Sequence, residues 1–185
     1  MKKEELDFYL QYSGSVEVSS MSRYDLKNLI ATGESSFLEF KHRVASPEKI
    51  AKEIAAFCNT TGGTILIGVA DNGEMVGVES YMEEEFWINQ AAKEVCIPEV
   101  DLRIELMNIG NRDILIVKVP EAPKKPVYLK GKKSRKVFIR QEDESVLASD
   151  EYVEMLKLGE EEEGVTFEYG ENEQLLFRFL KEYSE

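Results

Sequence analysis

The sequence predicts an α+β (α/β-like) domain, a mixed β-sheet with helices packed on it. Three observations carry this. A helix start at Ser46-Pro47-Glu48 lies between two β-rich runs, "FLEFK" and "TILIGVA". A strand, helix and strand in such close succession imply a right-handed crossover with parallel strands, if both share a sheet. Further on, "DLRIELMNI" and "RDILIVKVP" alternate in polarity around Gly110-Asn111, the pattern of a hairpin. The chain has 185 residues, 43% of them hydrophobic. That length suits one domain of about 100–200 residues with appendages, able to bury about two-thirds of its unfolded surface.

Residues 1–21 are polar and aromatic without a clear period and read as a loose N-terminal arm. The domain is expected over 22–158. Ser22 caps a helix from Arg23 to Thr32, with Asp25 at the capping-box position, Leu26, Leu29 and Ile30 as its apolar stripe, and Gly33 as its stop. "FLEFK" (37–41) alternates as a strand. The next helix, 47–59, has Ser46 as N-cap, a proline at its first position and Glu48 in its first turn. Ile50, Ile54, Phe57 and Cys58 share one face of it. Gly62-Gly63 turns the chain into "TILIGVA" (64–70), apolar enough for burial on both faces. Asp71-Asn72-Gly73 is a turn, with "MVGV" as a short return strand. A helix over 82–96 points Trp87, Ile88, Ala91, Ala92 and Val95 inward. After the 101–120 hairpin, "KPVYLKGKKSRKVFIR" reads as a second, turning near Lys130-Gly131-Lys132. Ser149 caps a helix through Leu158. Residues 159–185 form an acidic linker, "GEEEEG", and an amphipathic helix over 173–183. No internal repeat is present.

The net charge of −13 is unevenly spread. Residues 1–140 hold 20 Lys/Arg and 21 Asp/Glu, whereas 141–185 hold 3 and 15. Between 124 and 140 lie eight cations and no acid: Lys124, Lys125, Lys130, Lys132, Lys133, Arg135, Lys136 and Arg140. With Tyr128 and Phe138 interleaved, this segment is a candidate nucleic-acid contact. A solvated edge hairpin, whose lysines prevent edge-to-edge pairing, is the alternative.

Other classes are weak. No apolar run reaches the roughly 18–20 residues of a membrane helix, and "MKKEELDFYL" is too acidic for a signal peptide. Cys58 and Cys96 lack metal-ligand spacing and read as core residues of a cytoplasmic protein. The glycines at 62–63 precede a strand and no Gly-Lys pair follows, so no phosphate loop forms and no ATP is expected. His42 is the single histidine, which leaves serine-hydrolase chemistry without a base.

"GESSFLEFK", "IAKEIAAFCNTTGGTILIGVADNGEMVGV" and "VFIR" followed by "SDEYVEML" together resemble the Schlafen Alba-like domain. This bacterial module was long labelled a divergent AAA ATPase or a transcriptional regulator. The resemblance covers about residues 22–158 and implies a nucleic-acid-binding, regulator-like fold. It further implies a metal-dependent endoribonuclease site, as in the animal Schlafens, with Glu34 and Glu39 of an ExxxxExK stretch, Lys41, and Asp71 beyond the glycine-rich strand. Mg²⁺ or Mn²⁺ would be the ion, with Lys41 orienting a phosphate. The chain departs from many bacterial members after "IR", where Glu142, Asp143 and Glu144 replace a small, neutral-to-basic loop.

The residues themselves leave two readings of the acids. Converging carboxylates repel and persist where a cation neutralises them, and hard divalent ions prefer such oxygens. Equally, Glu39 and Lys41 share a strand face and can form a structural ion pair, while Asp71 can brace its own turn. Three function classes follow: a DNA- or RNA-binding module, a metal-dependent ribonuclease, or a protein-interaction domain with an acidic tail. A homo-oligomer is compatible with each.

Overall fold

The structure, a computed structural model, describes residues 14–131 and 135–162. Most of the expected arm, the 173–183 helix, Lys132 and Lys133 lie outside these. Among the described residues no helix is long and apolar enough to cross a membrane.

Two sheets replace the single one expected. The first is five-stranded in the order β1-β5-β6-β3-β2: β1 Val16–Val18, β2 Leu38–Lys41, β3 Gly63–Ile67, β5 Arg103–Ile109 and β6 Arg112–Val119. β2 and β3 are parallel, as the crossover requires, with Glu39 opposite Ile65 and Lys41 opposite Ile67. β5 and β6 form the expected antiparallel hairpin. The second sheet is antiparallel in the order β4-β7-β8-β9: β4 Cys96–Ile97, β7 Tyr128–Leu129, β8 Lys136–Gln141 and β9 Glu144–Leu147.

Alternation along the strands sorts the core onto the two faces of the first sheet. Leu38, Phe40, Leu66, Ile114 and Ile116 pack under α1 (Arg23–Ala31) through Leu26 and Ile30. Ile65, Ile67, Leu115 and Val117 pack under α2 (Pro47–Asn59) and α3 (Tyr81–Gln90). α2 lies between the two sheets, touching β6 on one side and β7, β8 and β9 on the other. A helix in that position must be buried nearly all round. From Ile50 to Asn59 only Lys52 is not buried, and Ala51, Ala55 and Ala56 allow the close approach.

Capping explains the helix starts. The side chains of Ser22, Ser46 and Ser80 accept from the backbone N–H three residues on. Ser149 does so for Tyr152 at the start of α4 (Asp150–Glu162), which runs past the expected end at Leu158.

Several other elements differ from expectation. β3 stops at Ile67 because Gly68 takes φ +96°. Residues 75–78 make only isolated bridges, Met75 with Val69 and Val78 with Asp113, rather than a strand. The helix expected to 96 changes to a π-helical turn over Ala91–Val95 and ends in β4. β1 forms inside the expected loose arm: it pairs with β5, and Ser15 there donates through both N–H and hydroxyl to the buried Glu85.

Candidate nucleic-acid interface and acid site

Glu39 follows Leu38 on β2, so its side chain takes the opposite face, toward α2. There it is 6% exposed. Its Oε1 accepts from Lys41 Nζ, the structural ion pair open from the sequence. Its Oε2 accepts from Arg140 Nη1 at 2.7 Å. The same Nη1 lies 3.3 Å from Glu53 Oε2 of α2 and 3.2 Å from Ser145 Oγ of β9, and Ser145 itself donates to Glu53. Arg140 Nη2 donates to the Ser35 carbonyl at 2.7 Å, and the guanidinium sits 4.6 Å from the centroid of the Phe57 ring. One arginine thus ties β2, α2, β9 and the loop before β2 together.

This corrects the expectation for Arg140. The sequence groups it with the phosphate-contacting cations, but its side chain is 1% exposed. Desolvating a guanidinium is costly unless carboxylates and carbonyls replace its water, and here two carboxylates and a carbonyl do so for Nη1 and Nη2, while Nε is buried with no partner among the described residues. Lys125 is also committed: it donates to the Thr60 carbonyl at 2.7 Å and to Glu121.

Glu34 lies at the free edge of β2, where its Oε1 accepts the Phe40 N–H at 2.8 Å. Burial raises its pKa. The Phe40 bond opposes this, the charges of Glu39 and Asp71 add to it, and Lys41 offsets part. Of the three acids, Glu34 therefore feels both of the others. They do not share a shell of ligands. Asp71 lines an open cleft of about 490 Å³ on the α1 side of the sheet, with Lys27, Ile30, Phe40, Asn72 and Met75. Its turn is braced by Asn72, whose Oδ1 accepts the Glu74 N–H, rather than by Asp71. Among the described residues no three His, Cys, Asp or Glu side chains are grouped to hold a metal. Mg²⁺ takes near-octahedral oxygens at about 2.1 Å. With both Glu39 oxygens facing cations and one Glu34 oxygen on a backbone N–H, the residues as placed do not fit such an ion.

The Gly62-Gly63 pair is structural. A Cβ on Gly62 would meet the Val119 carbonyl at 2.7 Å, and one on Gly63 would strike the Phe57 ring at 2.4 Å. Burial pushes both Cys58 and Cys96 up to about 12, which leaves them inert as thiols.

The other described cations of the basic segment face water. Lys124, Lys130, Arg135 and Lys136 are exposed. Arg135 lies 5.6 Å over the Tyr128 ring, and Lys52 of α2 lies 5.6 Å over Phe138. Asn59 fixes this sheet to α2. Its Nδ2 donates to the carbonyls of Val127 and Phe138, both at 2.9 Å, and its Oδ1 accepts the Val127 N–H at 2.7 Å.

Sequence reasoning passed over Glu53, Ser145 and Lys52. Glu53 carried a signal. It lies three residues after Ile50 and next to Ile54 on the apolar face of α2, and an acid there requires a buried cation.

The match in sequence agrees with this architecture. The family described as Schlafen, AlbA_2 matches residues 34–149, and the chain belongs to that family. Among solved structures, the N-terminal domain of a RecG-related protein from Nitrosomonas europaea is similar in fold. Its TM-score is 0.52 at 23% identity, over 70% of this chain and 92% of that one. The DIP2311 protein from Corynebacterium diphtheriae matches at TM-score 0.48 and 16% identity, over 78% of this chain; the match spans 26% of that protein's length. No curated protein matches the sequence.

Proposed function

We propose that the chain is a nucleic-acid-binding module that holds phosphates along the β7–β8 segment. Lys124, Lys130, Arg135 and Lys136 are the contacts, with Lys132 and Lys133 expected to add to them. The observation that carries this reading is the set of exposed cations Lys124, Lys130, Arg135 and Lys136, in a stretch free of acids from 124 to 140, beside the Tyr128 and Phe138 rings. Cations near aromatic faces suit a single strand, whose phosphates meet the charges while its bases stack on the rings. Membership of the Schlafen AlbA_2 family supports a nucleic-acid role. Contacts of this kind hold DNA or RNA without reading bases, the part a docking module plays in a regulator. The two buried free thiols suit a reducing cytoplasm.

The test is a titration of labelled single-stranded RNA and of single- and double-stranded DNA at two salt concentrations. Binding that weakens steeply with salt is expected. Absence of binding to all three at low salt would overturn the reading and favour a protein-interaction role.

A further inference from the structure

We propose that Arg140 is the resident cation of the acid site: its guanidinium, together with the Lys41 ammonium and in place of a divalent ion, offsets the charges of Glu39 and Glu53. Two buried carboxylates from separate elements, β2 and α2, converge on one nitrogen, Nη1, at 2.7 and 3.3 Å. Such a pair repels unless a positive charge sits between them, and Arg140 supplies it. A guanidinium keeps its charge at every accessible pH, so deprotonation of Arg140 never releases the acids.

Nor can Arg140 swing aside. It is held by the Ser35 carbonyl, the Ser145 hydroxyl and the Phe57 ring as well as by the acids. Its own strand, β8, is fastened to α2 through the Asn59 side chain. Lys41 covers the second oxygen of Glu39. An incoming Mg²⁺ or Mn²⁺ would have to strip a fully buried arginine of its carboxylates, and an unpaired buried charge is strongly unfavourable. Arg140 is therefore a positioning residue. It sets β8, and with it Lys136 and Arg135, against α2 and β2.

The assignment rests on the acid site alone and stands or falls apart from the nucleic-acid reading, so its test contains no nucleic acid. Mn²⁺ is titrated into the full chain by calorimetry, and melting is followed with and without the ion. No saturable heat and an unchanged melting temperature are expected. Saturable Mn²⁺ binding that raises the melting temperature and is lost in Glu39→Gln would overturn the proposal. Removing the cation gives a second, opposite readout. Arg140→Ala should melt lower and should recover part of the loss when Mn²⁺ enters the vacated carboxylates. An Arg140→Ala chain that ignores Mn²⁺ contradicts the proposal. Arg140→Lys keeps a positive charge in place and is expected to fold and to remain insensitive to Mn²⁺. Saturable binding to that variant would count against the proposal even if the alanine variant fails to fold.

Discussion

Lys136 and Arg140 stand four residues apart on one strand and meet opposite environments. Lys136, at the start of β8, is exposed. Arg140, near its end, is sealed beneath α2 and β9 between two carboxylates. In sequence they belong to a single basic run. Their difference lies in the partners the fold brings to each: water for one, Glu39 and Glu53 for the other. A cation that faces water can exchange it for phosphate at little cost. A cation already paired in the interior cannot, and it works as a fastener.

Removing the fasteners tests the inward half of this contrast. Arg140→Ala leaves Glu39 and Glu53 buried without their shared partner, and breaking a buried pair costs about 3–5 kcal/mol. This is the largest effect expected, and urea denaturation checks it. Asn59→Ala comes next. It unpairs the Val127 N–H and the carbonyls of Val127 and Phe138, and each buried group left unsatisfied costs about 1–3 kcal/mol. It should also loosen the second sheet, seen as faster amide exchange at Val127.

Glu34→Gln is the smallest change, and its sign is opposite. The pKa of Glu34 is raised in the folded chain, so the native state binds more protons than the unfolded state just above pH 4.5. Stability from this group therefore falls as pH rises through that window and stays lowered above it. Glutamine keeps an oxygen for the Phe40 N–H and carries no charge. A small rise in melting temperature is expected at neutral pH, and it should vanish below pH 4.5. A variant that melts lower at neutral pH would show that the negative charge is needed.

Local signals were enough for much of the fold. Ser46-Pro47 marked α2, and alternation marked β5 and β6. β1 has three residues and exists through its pairing with β5, some 90 residues away in sequence. β9 was hidden for a different reason. The turn before it carries Glu142 at φ 55°, a conformation for which Gly, Asn or Asp is the usual signal. At the acid site, Glu34, Glu39, Lys41 and Asp71 were legible as candidates. Apart from the Glu39–Lys41 pair, their alliances were not, because Glu39 meets Arg140 across 101 positions. Nothing near Arg140 in sequence separates it from the seven other cations of its run. Only Glu53, an acid on an apolar helix face, announced that one of them had to turn inward.

The outward half of the contrast has its own direct measurement. Labelled single-stranded RNA is titrated over a series of salt concentrations against the unaltered chain and against Lys130→Glu/Arg135→Glu/Lys136→Glu. These three side chains are exposed, so the melting temperature should be nearly unchanged. The affinity should fall sharply, and the slope of log affinity against log salt should become shallower by about 2, as expected for three lost phosphate contacts on a single strand. An equal slope and equal affinity in the two proteins would contradict the account, because the basic face of β7–β8 would then not be where nucleic acid binds.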